Sequence, residues 1–369
     1  MPRVLYVASD LGASGPAKLV SLLAPALPRP RFEAAVVDLS GGASATMVQP
    51  LRDAGVPVYA APMRGMTDLR GLRNLRRIVT AFAPDVIHVC GSKAARAMAL
   101  LWFASLKSRL PPIVASGLDY PRQRIHDILA RLVAPVHAEV IRYLANSVPV
   151  ERIALIDPAV AACVPTLDAA AFRATLGIPP AARLVVAAGR FDSVAGLKSA
   201  VWAFDVVKYV APDLHLVLVG DGPERERLER FAKALGFDDY RVHFVGVRDD
   251  VPALLGLAEL VWVTHDIGGV NVALEAMAAG KPVVAFRTPD LAEVVVEGVT
   301  GRLVTPGDRV QLAAISNELL EAPDAARALG EAGRRRATDH FGVDAMASRF
   351  ASLYDEVVRT PSRPSADPR

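Results

Sequence analysis

The sequence predicts an α/β protein of two domains, each with a parallel β-sheet covered by helices on both faces. Short buried strands and amphipathic helices alternate along almost all of the 369 residues, in two successive series. Strands that are apolar almost throughout, such as "VLYVAS" (4–9), are typical of parallel sheets buried on both faces. Right-handed crossovers between such strands give Rossmann-like domains. A chain of this length also suits two cores better than one.

The first series covers residues 1–160. Its strands are "VLYVAS", "EAAVVDL", "VPVYAA", "DVIHVCG", "PIVAS" and "YLANS", and the clearest helix between them is "DLRGLRNLRRIVTAF". The following residues, 161–182, are rich in Ala and Pro without a strand pattern, so we expect a linker there.

The second series covers residues 183–340. It begins with "RLVVAAGR" and continues through "LHLVLVG", "VHFVG", "LVWVTH" and "KPVVAF", again with helices between the strands. Residues 341–359 predict an amphipathic helix that packs back toward the first domain, and residues 360–369 predict a disordered tail rich in Pro and Ser.

Composition and charge exclude several classes of function. The net charge of +3 is small, so nucleic acid is not expected as a partner. The two cysteines, Cys90 and Cys163, lie far apart and lack metal-binding spacing, which favours a reducing compartment and no zinc site. The apolar stretch 97–106 is about half a bilayer span and predicts a buried helix. We expect a cytoplasmic protein without a metal ion or cofactor.

Five motifs of the second series occur in the order and at the spacing of a known family. They are "GR" at 189–190, "LHLVLVGDGPERERLE", "VHFVGVRDDVPALLGLAEL", "LEAMAAGKPVVA" and "VEGVTGRLVTPGD". Over residues 3–358 the chain resembles GT-B glycosyltransferases of the retaining family 4. The resemblance implies two Rossmann-like domains whose parallel sheets face an interdomain cleft. It also implies a nucleotide-diphospho-sugar donor, UDP- or GDP-linked, and a carbohydrate, lipid or small-molecule acceptor.

The stretch "HDIGGVNVALEAMAAGKPVVA" (265–285) contains most of the expected donor site. By the resemblance Glu275 binds the nucleotide ribose, since a carboxylate can accept hydrogen bonds from two adjacent hydroxyls. The alternative is a first-turn Glu favoured by the helix dipole. The family's other acid, near the reacting sugar carbon, is replaced by Ile267. Asp266 can substitute if the glycine loop shifts by one residue, or it is a solvated loop residue. The expected donor-binding residues are Arg190, Gly268, Gly269, Val270, Asn271, Val272 and Glu275.

A leaving diphosphate needs cations, backbone N–H groups or a helix N-terminus around it. Arg190 matches the family arginine, whereas the family lysine position holds Ala195. Lys198 lies three residues further on and can lean back from the first helical turn toward the phosphates, or it is a solvated lysine. The catalytic candidates are therefore Asp266 and Lys198.

The acceptor side is expected on the first domain. Gly12 and Gly15 in "DLGASGPAKLV" permit a close approach of backbone to a phosphate or sugar, and Lys18 replaces the usual arginine of the resemblance. In "DVIHVCG" the family's second histidine is replaced by Cys90, which either lines the acceptor side or packs in the core. His88 is expected to be structural.

Two functions stay open at this point. The first is a working retaining glycosyltransferase. The second is a catalytically impaired homologue that binds a nucleotide or a partner protein, because four positions have lost polarity or charge: Ala17, Cys90, Ala195 and Ile267. A nucleotide-sugar epimerase or a dinucleotide-dependent dehydrogenase fits less well, and the latter would need G-x-G-x-x-G after the first strand.

Five arginines lie within the segment 64–77, on and before one predicted helix. They are Arg64, Arg70, Arg73, Arg76 and Arg77. Such a cluster is either a solvated helix face or a surface that contacts an anionic membrane. In the second case the cytoplasmic protein would lie peripherally on the inner face of the membrane.

Overall fold

The chain divides into two units. The computed structural model describes residues 1–12, 14–65, 68–104, 111–116, 136–139, 153–162, 167–237 and 241–359. The first unit comprises Met1–Ala159 and Val343–Arg369, and the second comprises Val160–Gly342. Each unit contains one parallel sheet flanked by helices, which confirms the predicted α/β fold of two Rossmann-like domains.

The first unit contains a seven-stranded sheet. Its strands are β1 (Arg3–Ala8), β2 (Glu33–Asp38), β3 (Val58–Ala60), β4 (Val86–Cys90), β5 (Ile113–Ser116), β6 (Val136–Glu139) and β7 (Ile153–Leu155). Their order is β3-β2-β1-β4-β5-β6-β7, and neighbouring strands are parallel. The described helices between them are α1 (Gly15–Ala26), α2 (Ala45–Asp53), α3 (Leu69–Phe82) and α4 (Ser92–Ala104).

The second unit repeats this plan with six strands, again all parallel. They are β8 (Arg183–Ala188), β9 (Leu214–Val219), β10 (Val242–Phe244), β11 (Leu260–Val263), β12 (Val283–Phe286) and β13 (Arg302–Val304), in the order β10-β9-β8-β11-β12-β13. Its helices are α5 (Ala169–Thr175), α6 (Leu197–Val207), α7 (Arg225–Ala234), α8 (Val251–Leu255), α9 (Val270–Ala278), α10 (Pro289–Val294), α11 (Arg309–Glu321) and α12 (Pro323–His340).

The central strands are buried on both faces, which explains their continuous apolar sequence. In β1, Val4, Tyr6 and Ala8 belong to one core cluster, and Leu5 and Val7 belong to the cluster on the opposite face. Alternate residues of a strand point to opposite faces of its sheet, so a strand covered twice cannot alternate with polar residues.

The last helix, α13 (Val343–Arg359), packs on the first unit. Met346, Phe350, Tyr354 and Val357 recur at helical spacing and lie in the same core cluster as the buried face of α1. The helix thus covers one face of the first sheet.

The segment that we expected to be a linker, 161–182, differs from that expectation where it is described. Asp168 caps α5 by accepting the N–H groups of Ala170 and Ala171, each at 3.0 Å. Phe172 of this helix is 5% exposed and packs in the core of the second unit together with Ile178. From residue 167 onward the chain therefore belongs structurally to the second unit.

Two further expectations fall on segments outside the described residues. The expected strand "YLANS" and the tail 360–369 lie outside the described residues. Strands β6 and β7 were not predicted by the sequence pattern. Within the described ranges, no helix combines the length and apolar character needed to cross a bilayer.

Candidate functional site

The predicted donor residues lie at the point where the strand order of the second sheet reverses. The chain runs from β8 to β9 and β10 on one side, whereas β11, β12 and β13 extend the sheet on the other side. Open α/β sheets bind ligands outside the carboxyl ends of their strands at such a point. The loops that follow β8 and β11 are residues 189–196 and 264–269, so the structure brings Arg190 and Asp266 to neighbouring strand ends.

The loop after β8 is closed by an aspartate. Asp192 Oδ1 accepts the N–H groups of Val194 and Ala195 at 3.0 and 3.1 Å. Ala195, at the expected lysine position, is buried in the core. The side chain of Arg190 is 76% exposed, with Nε 3.7 Å from Asp192 Oδ2, so it is the cation that this loop offers to a ligand.

The loops after β8 and β11 contact each other through their backbones. The N–H of Asp266 donates to the carbonyl of Val194 at 2.9 Å, and Thr264 Oγ1 donates to the carbonyl of Ala195 at 3.0 Å. Gly196 has a φ of +62°, and an added Cβ would lie 1.9 Å from the carbonyl oxygen of Thr264. Only glycine permits this approach, so both loops form one rigid arrangement.

A double glycine turn leads from β11 into α9. Gly268 and Gly269 have φ values of +79° and +80°, and Gly269 is the N-cap of the helix without a side-chain cap. Val270, Asn271 and Val272 form the half-buried first turn. The N–H groups at such a helix start attract anions, which suits the diphosphate of the expected donor.

Glu275 lies deeper in α9 than a first-turn residue. It is the sixth residue of the helix and only 4% exposed. The field of a helix terminus decreases within one turn, so the helix dipole does not account for a glutamate here. Acidic side chains are rarely buried to this degree unless they are paired, which distinguishes Glu275 from an ordinary helix residue.

The position of the expected second acid is exposed and apolar. Ile267 is 44% exposed, and the neighbouring Asp266 is also exposed, with its backbone fixed by the loop after β8. Partial burial raises the pKa of the Asp266 carboxyl. Asp266 is thus the acid of this loop, beside rather than at the expected position.

Lys198 lies in the first turn of α6 and contacts the adjacent helix. Its ammonium group is 4.8 Å from the centroid of the Phe231 ring, a cation–π contact. Phe231 is the seventh residue of α7, about 9 Å along that helix from its first residue. The ammonium group of Lys198 is thus directed at α7.

His265 was not singled out by the sequence analysis, yet it lies between the two loops. Cβ atoms added to Gly189 and to Gly269 would each come within 2.8 Å of its imidazole ring, at Nε2 and Cγ respectively. Burial lowers the pKa of His265 to about 4 against the opposing effect of Asp192, so the ring is neutral at pH 7. Its Nδ1 lacks a hydrogen-bond partner among the described residues. A histidine between a buried strand and a glycine pair was the available sequence signal.

In the first unit, the predicted acceptor-side loop follows β1, next to the strand-order reversal between β1 and β4. Asp10 Oδ1 accepts the N–H of Gly12 at 2.9 Å and the hydroxyl of Ser14 at 3.0 Å, and Ser14 caps α1. Gly15 begins this helix, and Lys18 lies in its first turn, where burial lowers the pKa of Lys18 to about 8. Sequence reasoning identified the glycines and the lysine but not Asp10 or Ser14.

Cys90 and His88 belong to the interior of the first unit. Cys90 is fully buried in the core cluster, so its side chain does not line an acceptor surface, which corrects that part of the prediction. His88 is also fully buried, with Nδ1 2.7 Å from Tyr354 Oη and Nε2 2.8 Å from Ser116 Oγ. It is the structural histidine that we expected.

The five arginines of the segment 64–77 are all exposed, and four of them lie on α3. This helix buries Leu75, Val79 and Phe82 on its opposite face.

Among the described residues, no group of three or more His, Cys, Asp or Glu side chains is arranged to hold a metal ion.

Comparisons with known proteins identify the family. The family model described as glycosyl transferases group 1 matches residues 168–336. The lipopolysaccharide core biosynthesis glycosyltransferase LpsD of Rhizobium meliloti is 30% identical over 313 residues, which are 82% of this chain and 85% of that protein. The chain belongs to the group 1 glycosyl transferase family.

Two further similarities agree with this family. The N-acetyl-alpha-D-glucosaminyl L-malate synthase of Bacillus anthracis is 31% identical over 184 residues, and the chain spans only 48% of that relative's length. Among solved structures, the Anabaena protein HepE in complex with UDP-glucose matches 96% of this chain and 100% of that one, with a TM-score of 0.81 and 21% identity. At this identity the structure supports the predicted GT-B fold alone.

Proposed function

We propose that this member of the group 1 family is a retaining family 4 glycosyltransferase that uses a UDP- or GDP-sugar. The acceptor is a carbohydrate, a lipid or a small molecule. The observation that supports this proposal most strongly is the interlocked pair of loops at the strand-order reversal of the second unit. One loop contains Arg190, and the other leads into α9, the helix that contains the buried Glu275.

The diphosphate and the ribose of a nucleotide-diphospho-sugar each have a candidate partner in this region. The exposed guanidinium of Arg190 suits a diphosphate, because its planar donors pair with two phosphate oxygens at once. The uncapped N–H groups of α9 add a second source of positive potential. The carboxylate of Glu275 suits the two ribose hydroxyls. This scheme assigns charge stabilisation to basic residues and helix ends rather than to a metal ion.

The reacting end of the donor is assigned to the loop after β11. Asp266 is the proposed acid beside the sugar, and Lys198 is the proposed second cation for the leaving phosphate once it leaves Phe231. The acceptor is assigned to the loop from Gly12 to Lys18 of the first unit. Attack on the face from which the phosphate departs retains the configuration without a protein nucleophile.

One observation favours a second function. Ile267 exposes an apolar side chain where the family resemblance expects a carboxylate near the reacting carbon. A protein that binds the nucleotide but transfers no sugar would tolerate this residue. Turnover therefore distinguishes the two functions, and binding alone does not.

The experiment combines calorimetry with UDP and GDP and a screen of hydrolysis and transfer with several nucleotide-sugars. Arg190→Ala and Glu275→Gln should each weaken nucleotide binding about 10- to 100-fold, the effect of losing a charge-assisted hydrogen bond. The matched controls Arg335→Ala and Glu331→Gln change exposed residues of α12 and should leave affinity unchanged. Binding without turnover for any donor would favour the second function. Absence of binding to both nucleotides would refute the donor site itself.

We also propose that the arginines of segment 64–77 contact an anionic membrane, at a cytoplasmic location. Each exposed arginine near such a surface contributes about 1 kcal/mol, and salt screens the attraction. The wild-type protein should sediment with phosphatidylglycerol vesicles at low salt but not with phosphatidylcholine vesicles. Arg73→Glu with Arg77→Glu should abolish this, whereas Arg334→Glu with Arg335→Glu should not. Equal sedimentation of both pairs would contradict the proposal.

A further inference from the structure

The carboxylate of Asp290 contacts the glycine turn of the candidate donor site. Asp290 lies after β12, in the first turn of α10, and its Oδ2 accepts the N–H of Gly268 at 3.0 Å. Because β12 is the neighbour of β11 in the sheet, the loops that follow both strands meet at the same edge. Neither the motifs nor the spacing of the sequence pointed to this residue.

The turn that Asp290 contacts contains two consecutive residues with positive φ, Gly268 and Gly269. On one side the turn is confined by packing, since a Cβ on Gly269 would lie 2.8 Å from both His265 Cγ and Val263 Cγ1. Around Gly268, in contrast, a Cβ would meet nothing within 4 Å. Packing therefore restrains Gly269, and the hydrogen bond that its N–H donates to Asp290 restrains Gly268.

The position of this turn determines two features of the candidate site. It directs the chain from Asp266 and Ile267, the residues at the reacting end, into the first N–H groups of α9. A glycine pair without restraint samples several backbone conformations, which would displace both features relative to a bound donor. A fixed turn removes that variation before the donor binds.

The carboxyl group of Asp290 is itself half-buried. Burial raises its pKa, and the Gly268 N–H bond opposes that effect. A carboxylate at this edge is in keeping with a structural acceptor for backbone N–H, since a charged acceptor forms a stronger bond than a neutral one.

We propose that Asp290 is a positioning residue of the donor site: its carboxylate accepts the Gly268 N–H and so fixes the Gly268-Gly269 turn. Position 267, next to this turn, carries no acid itself. The proposal rests on the proposed function for its consequence, the productive placement of Asp266 and the α9 N-terminus. Its structural part, the restraint on Gly268, is independent of any ligand.

The test compares Asp290→Ala, which removes the acceptor, with Asp290→Asn, which keeps an oxygen that can accept the same N–H. Asp290→Ala should lower the affinity for UDP or GDP, and the kcat of nucleotide-sugar hydrolysis or transfer, about 10-fold or more. Asp290→Asn should keep both within about threefold of the wild-type values. Asp308→Ala is the matched control, because Asp308 also accepts a backbone N–H, that of Gln311 at 2.9 Å, at the start of α11. It should reduce stability without reducing affinity.

A second measurement follows the amide of Gly268 by hydrogen exchange in the full-length protein without ligand. Asp290→Ala should accelerate exchange of this amide about 10-fold or more, and Asp290→Asn and Asp308→Ala should not. Equal effects of Asp290→Ala and Asp308→Ala on affinity and exchange would overturn the proposal, as would an Asp290→Asn variant as impaired as Asp290→Ala. If the wild-type protein binds neither UDP nor GDP, the proposed function fails, and the exchange measurement alone decides whether Asp290 fixes the turn.

Discussion

Replacing Tyr354 by Phe removes one oxygen atom from a buried chain of hydrogen bonds in the first unit. Tyr354 Oη donates to Tyr6 Oη at 3.2 Å and lies 2.7 Å from Nδ1 of His88. Burial lowers the pKa of His88 to about 3, so the ring is neutral at pH 7. With Tyr354 donating to Tyr6, the His88 ring donates from Nδ1 and accepts at Nε2 from Ser116.

The expected loss of stability follows from what the substitution leaves behind. Phe keeps the ring, and thus the edge contacts with Phe32 and the tilted contact with Phe350, at centroid distances of 6.2 and 5.9 Å. No cavity forms, but Nδ1 of His88 loses its acceptor in a site without solvent access. An unsatisfied buried polar group costs about 1–3 kcal/mol, so we expect a loss of about 2 kcal/mol.

The assay is urea unfolding at pH 7 for the wild-type protein and the variant, with hydrogen exchange in helix α13 as a local probe. Tyr209→Phe is the control, because Tyr209 is 78% exposed, and its effect should stay within about 0.5 kcal/mol. Exchange should accelerate across α13, the helix that contains Tyr354. A loss no larger than that of the control would refute the claim that this hydrogen-bond chain stabilises the attachment of the last helix.

Three further predictions concern the second unit. Gly196→Ala should destabilise it by more than about 2 kcal/mol, because the new Cβ would lie 1.9 Å from the carbonyl oxygen of Thr264. The control is Gly177→Ala, because Gly177 has a φ of +65° and an added Cβ would meet nothing within 4 Å. This variant isolates the cost of positive φ and should lower the free energy of unfolding by only about 1 kcal/mol. Equal losses for both variants in urea unfolding would argue against the close contact at Gly196. Burial lowers the pKa of His265 from 6.5 to about 4, so as the pH falls below 6.5 the unfolded state binds a proton before the folded state does. The neutral ring therefore contributes stability above pH 6.5 that is lost progressively down to about pH 4. The expected loss at pH 5 is about 2 kcal/mol. His265→Gln should remove this share of the pH dependence of unfolding, and an unchanged pH dependence would contradict it. Phe172→Ala should cost about 3–5 kcal/mol in urea unfolding if residues 167–182 are part of the core, and almost nothing if they are a linker.

Local patterns were sufficient to predict most of the fold. A strand such as β1 is buried on both faces, and its unbroken apolar run reports this directly. The segment 161–182 misled because a short alanine-rich helix exposes most of its residues and buries chiefly Phe172, so its composition resembles that of a linker. Strand β7 has only three residues, too few to show a period.

The sequence located the candidate donor residues after strand ends, but their roles stay predictions. Arg190 and the glycine pair follow the ends of the neighbouring strands β8 and β11, and Glu275 lies in the helix that follows the glycine pair. The side-chain directions were not predictable. Lys198 contacts a ring on the next helix, because the packing of two helices determines which neighbour a flexible side chain meets.

By itself the sequence determined most of the strands and helices and their order, the glycines at the turns and the family resemblance, since each depends on residues close together in the chain. Only the tertiary structure decided which distant groups meet: Asp290 with Gly268, and Tyr354 with His88. These pairs are separated by 22 and 266 residues. Their contact depends on which strands lie side by side and which helix covers them, and no local pattern encodes a partner at that distance.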